Sequence, residues 1–93
     1  MHPAPGRAVV IDYTNYGGKR AKRVVTPDGR MEWIERGQNQ WHPDAQWLIH
    51  AWDHAKGATR GFAWKDIHSQ RPATEDEVRE ADAKAPKAGA GGA

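Results

Sequence analysis

Along the first two thirds of the chain, apolar and polar residues tend to alternate with a period of two, the signature of strands with one face buried. RAVVIDY (7–13) sets Val9, Ile11 and Tyr13 against Ala8, Val10 and Asp12. TNYGG (14–18) is rich in turn residues, and KRAKRVV (19–25) resumes as a second strand with a basic start, so the two predict a hairpin. In TPDG (26–29), Pro27 pre-sets its φ and Gly29 is free to take a positive one, which predicts a chain-reversing turn. RMEWIER (30–36) then reads as a third, weaker strand, with Met31 and Trp33 opposite Glu32, Ile34 and Arg36. GQNQWHPD (37–44), polar and broken by Gly37 and Pro43, is a loop.

The strongest pattern follows. In QWLIHAWD (46–53), Trp47, Ile49 and Ala51 alternate with Leu48, His50 and Trp52, so both faces are largely apolar. That predicts a central strand with Trp47 in the core. DHAKGA (53–58) holds a turn with Gly57 at a left-handed or bulged position. TRGFAWKDI (59–67) is read as a strand placing Arg60, Phe62, Trp64 and Asp66 on one side, and Gly61, Ala63, Lys65 and Ile67 on the other. A glycine inside a strand, as Gly61 is here, signals a bend or a close backbone approach. Beyond Pro72 the pattern changes: Thr74 and Glu77 form a capping box opening a helix over about 74–85, whose apolar stripe is only Val78, Ala81 and Ala85. Such a helix is frayed or lightly docked. The expected organisation is a flexible leader (1–6), an all-β unit at 7–70, and a region at 71–93 holding the short helix and a disordered PKAGAGGA end. Short strands separated by frequent turns imply a five-stranded small barrel or rolled antiparallel sheet.

Composition narrows this further. With 93 residues there is room for one domain with a small core. The absence of cysteine rules out disulfides and thiolate metal sites, and fits a reducing cytoplasm. No stretch approaches the ~20 apolar residues of a spanning helix, so a soluble protein is expected. Charge is unevenly spread: residues 1–71 carry 11 Lys/Arg against 7 Asp/Glu, a balance of +4, whereas 72–93 carry 3 against 5, a balance of −2. A basic folded part favours anionic partners such as nucleotides or nucleic acid.

The hairpin also carries a family resemblance. Trp-aliphatic-aliphatic, then Asp53, a glycine-bearing turn, Arg60-x-Phe62 and a Lys65-Asp66-Ile67 ending is similar to the WYL domain, a Sm-like small barrel of bacterial regulators, and IDYTNYGG (11–18) resembles that domain's first hairpin. The likeness spans 8–68 and extends to short stand-alone bacterial and phage proteins. It implies a ligand-sensing or nucleic-acid-binding module rather than a catalyst. The family's namesake Trp-Tyr-Leu falls on Trp47, Leu48 and Ile49, so the tyrosine hydroxyl is missing, while its basic residue in the next strand matches Arg60. WYL regulators carry a helix-turn-helix ahead of the barrel, and no such pattern occurs in these residues.

Candidate binding residues follow from chemistry. Arg60, beside Phe62 and Trp64, suits a bidentate grip on a phosphate with bases stacking nearby. Lys19, Arg20, Lys22 and Arg23 could meet a phosphate backbone, with Tyr13 and Tyr16 as stacking surfaces, although such clusters are commonly solvated edge strands. Trp41, in a polar loop, is expected to be exposed and available to a base or partner. His42, His50, His54 and His68 lack a recognisable metal-ligand spacing, and no catalytic triad or phosphate-binding loop is present. The expected function is therefore non-enzymatic, without cofactor or metal: a regulatory module for a nucleotide or single-stranded nucleic acid. The competing expectation is a protein-interaction adaptor or oligomerising module, of the phage-encoded kind that acts on a host protein.

Overall fold

The structure, a computed structural model, describes residues 6–86. The expectations for the leader before Gly6 and for the tail after Pro86 lie outside the described residues.

The chain folds as one five-stranded antiparallel sheet with a short helix. In chain order the elements are β1 (Val9–Thr14), β2 (Arg20–Ile34), β3 (Gln46–Asp53), β4 (Ala58–Ala63), a 3-10 turn (Trp64–Asp66), β5 (Ile67–Pro72) and α1 (Glu75–Lys84). The strands lie in the order β4-β3-β2-β1-β5. On a flat sheet, three strand spacings, about 14 Å, would separate β4 from β1. Yet the Phe62 ring meets the Tyr13 ring edge-on at 5.1 Å, and the Ala63 N–H donates to Tyr13 Oη at 2.9 Å. The sheet is therefore rolled, with the end of β4 drawn over β1. Inside the roll sits a core of Val9, Ile11, Tyr13, Val25, Ile34, Leu48, Ala51, Phe62 and Ala63.

Two expected boundaries and one expected core position are corrected. The residues 26–29 do not reverse the chain: β2 runs straight through them, and both of its halves pair with β3. Pro27 faces Ala51 and Met31 faces Ile49, so Asp28, Gly29 and Arg30 bulge out opposite His50 alone. The turn chemistry is present but local, because Asp28 Oδ1 accepts from the Arg30 N–H at 2.9 Å and Gly29 takes φ 88°. The strand expected over 59–67 ends at Ala63, after which the 3-10 turn leads into β5, a polar edge strand paired only with β1. Finally, Trp47 is not in the core. It stands 47% exposed, paired across the strands with Trp33 at 5.5 Å between ring centroids. The core positions of β3 are filled by Leu48, Ile49 and Ala51 instead.

Gly61 bears out the close approach that its place in a strand suggests, since a Cβ there would come within 3.2 Å of Leu48 Cδ1. The helix is opened by the capping box, with Glu77 N–H donating to Thr74 Oγ1 and the Thr74 N–H to Glu77 Oε1. It docks through buried Ala81 and through His54, whose ring nitrogens bond Asp82 Oδ1 and Thr26 Oγ1, each at 2.7 Å.

Candidate functional site

A cleft of about 320 Å³ opens where the roll brings β1, β2 and β4 beneath two loops. Its floor is Tyr13, Leu48 and Phe62, all buried. Burial raises the Tyr13 hydroxyl pKa, so the group stays protonated. Because Tyr13 Oη already accepts from Ala63, its own proton remains free to donate. Over the floor stands Arg60 of β4, exposed, and among the described residues it makes no ion pair.

The rim is built by turn chemistry. Asn15 Oδ1 accepts from the N–H groups of Gly17 and Lys19, both at 2.9 Å, shaping the β1–β2 turn. Asn39 Oδ1 accepts from Trp41 N–H at 2.8 Å and His42 N–H at 3.2 Å, shaping the loop before β3. Both side-chain amides thus turn their oxygens to backbone and leave NH2 donors at the cleft edge. The two loops meet through Tyr16 and Trp41, whose rings lie 5.1 Å apart and tilted by 54°. Both rings are more than 45% exposed, which leaves faces for a stacking partner. Beneath the loop, burial holds the His42 imidazole below its usual pKa, against a hydrogen bond with the Gly61 backbone. That shift favours the neutral imidazole in this part of the lining. The carboxylate on this wall is Glu32, which His50 Nε2 meets at 2.9 Å.

Arg23 reaches the same cleft from β2. Its Nη1 donates to the buried Asp53 carboxylate at 3.1 Å and its guanidinium lies 5.9 Å from the centre of the Tyr13 ring, while its Nε is buried with no hydrogen-bond partner. An unsatisfied buried donor of this kind costs roughly 1–3 kcal/mol.

The cleft therefore gathers Arg60, Phe62, Tyr13, Tyr16, Arg23 and Trp41, six of the residues singled out from sequence. Trp64 falls in the 3-10 turn, away from the cleft lining, because β4 ends one residue before it. The basic run does not form one surface. Arg20 is spent in a two-bond pair with Asp12, both contacts at 2.9 Å, which holds the Asp12 carboxyl below its usual pKa. Lys19 and Lys22 instead flank a second hollow beside Arg23. Asn15, Asn39 and Gly61 were not singled out as ligand contacts; the Asn-x-Gly-Gly and Asn-x-Trp spacings around the two asparagines are the signals that mark such turns. Among the described residues no group of three or more His, Cys, Asp or Glu side chains is placed to hold a metal ion, and no helix is long and apolar enough to cross a membrane.

In comparison with known proteins, the chain matches no family model, no curated protein and no solved structure.

Proposed function

We propose that this protein is a non-enzymatic binding module of the cytoplasm that takes a nucleotide or a single-stranded nucleic acid into the cleft, with a ligand-sensing or regulatory role of the kind its WYL resemblance implies. The observation that carries the reading is the convergence of an unpaired cation, Arg60, with an exposed aromatic pair, Tyr16 and Trp41, over an aromatic floor. The hydrogen-bonding capacity left open there belongs mainly to donors: Arg60, the Asn15 and Asn39 amides and the Tyr13 hydroxyl. Such a lining suits an occupant rich in acceptor oxygens with a flat apolar portion, which describes a phosphate joined to a base. Tryptophan fluorescence tests it directly, because Trp41 is at the rim. Nucleotides or short single strands at low salt quench the wild type, and Arg60→Ala weakens binding about 10- to 100-fold, the worth of a lost charge-assisted contact. Equal binding by both proteins, or none by either, overturns the proposal.

A second reading rests on a different surface. Trp33, Trp47 and Met31 of β2 and β3 stand exposed together, and an aromatic patch of this type is what a protein-interaction adaptor or oligomerising module presents. Sedimentation showing assembly that Trp33→Ser with Trp47→Ser abolishes, together with no nucleotide binding, favours it.

A further inference from the structure

The proposed cleft has a neighbour. A second hollow of about 350 Å³ lies between β2, the β3–β4 turn and α1, and the two share Asn15 and Arg23 as a common wall. Lys19 and Lys22 come to it from the start of β2, Lys56 from the β3–β4 turn, and Lys84 from the last turn of α1. Among the described residues none of these four lysines has an ion-pair partner, whereas Arg20, Arg23, Arg30, Arg71 and Arg79 all do. Among the described residues the only carboxylate lining the hollow is Asp53, buried and already held by Arg23. Unpaired positive charge is thus concentrated in a depression directly next to the aromatic cleft.

Placement of Lys84 depends on the helix being docked. His54 ties α1 to β2 through Asp82 and Thr26, and Ala81 is buried against the sheet. Gly57 belongs to the same junction, for a Cβ there would lie 3.3 Å from Ala85 Cβ. A helix so short has little stability of its own, so its docking is what brings a cation from the far end of the chain to this surface.

We infer that the two hollows form one track for single-stranded nucleic acid, longer than one nucleotide: a base enters the aromatic cleft under Arg60, and the backbone crosses Arg23 to set its next phosphates among Lys19, Lys22, Lys56 and Lys84. This rests on the cleft being the nucleotide site. A mononucleotide would leave the lysine hollow unfilled, and a duplex would have to unpair and unstack a base before lending it to the cleft. Unpaired lysines around a depression suit a phosphate backbone read as charge, just as the aromatic cleft suits a base.

The test is a length series of oligothymidylates, from mononucleotide to hexanucleotide, bound to the wild type, to Arg60→Ala and to the double variant Lys56→Ala, Lys84→Ala. Both lysines are exposed, and circular dichroism verifies that the double variant folds. The expected result is an affinity that rises at least 10-fold between one and four nucleotides in the wild type, with most of that gain lost in the double variant while mononucleotide binding is unchanged. Arg60→Ala weakens every length. If mononucleotide and tetranucleotide bind wild type equally, or the double variant keeps the full gain, the track is wrong and the cleft proposal stands. Binding of duplex as tightly as of the single strand also overturns the track. Absence of binding at any length removes both.

Discussion

Tyr13 ties β1 to the end of β4 through a single oxygen as well as through its ring. Its Oη accepts the N–H of Ala63, a residue with no exposed surface, so Tyr13→Phe keeps the ring contact with Phe62 and strands one buried donor. The expected loss is about 1–3 kcal/mol, read as a lower urea midpoint with unchanged slope. Glu77 makes the corresponding point in charge. Paired with Arg71 and bonded to the Thr74 backbone, its carboxyl falls from 4.5 to about 2 in the folded state. A depressed folded pKa stabilises above the unfolded value, and the benefit disappears as the pH falls through the folded one. Helix content followed by circular dichroism should therefore decline between about pH 4.5 and 2, and Glu77→Gln should flatten that decline. At this scale the sequence was informative where a side chain has one dominant chemistry: the capping box was legible from Thr74 and Glu77. It was misleading for tryptophan, a large ring that fills a core or lies on a surface equally well, and Trp47 took the surface beside Trp33.

Among the elements, β2 shows why local signals alone misplace a strand. Pro27, Asp28 and Gly29 do form a turn-like kink, but whether the chain reverses there is decided by what the flanking residues pair with, and both flanks find β3. The bulge converts a would-be hairpin into a bend, and the bend helps the long strand follow the roll. Gly29→Ala forces a side chain into φ 88° and should cost about 1–2 kcal/mol. For a domain this size, that corresponds to a melting temperature lowered by about 4–8 °C for each kcal/mol. β5 escaped notice for the opposite reason. IHSQRP carries almost no apolar alternation, because an edge strand paired only with β1 needs little. Helix α1 was legible as a helix but not as a docked one, since His54, which fastens it, lies 28 residues from Asp82. His54→Ala should speed amide exchange across 75–84 while leaving the strands protected.

For the molecule as a whole, net charge is a poor guide to where an anion would go. Of the 11 Lys/Arg in residues 1–71, Arg20, Arg23, Arg30, Lys65 and Arg71 are held in ion pairs, and the unpaired cations lining the two hollows are Arg60, Lys19, Lys22 and Lys56, joined by Lys84 of α1. Salt dependence should reflect that small number. A tetranucleotide touching two or three phosphates should give a slope of about −1.4 to −2.1 in log affinity against log salt, and a mononucleotide roughly −0.7. A far steeper slope would mean that the whole basic surface, rather than the track, does the binding. The all-β class was readable from the chain, as was the placement of Arg60 and Phe62 on one strand. The adjacency of cleft and hollow was not, because it depends on the roll and on Lys84, at the far end of a helix that begins 15 residues beyond Arg60 in sequence.

Arg23 gives that adjacency a further property. Pinned by Asp53 and lying over Tyr13, it is held from two sides rather than free to swing. A strand laid across it would have to meet this fixed cation at one link between residues, so each molecule would fix the frame in which the strand is held. Movement to the next frame would then proceed by lifting off and landing again, not by gliding.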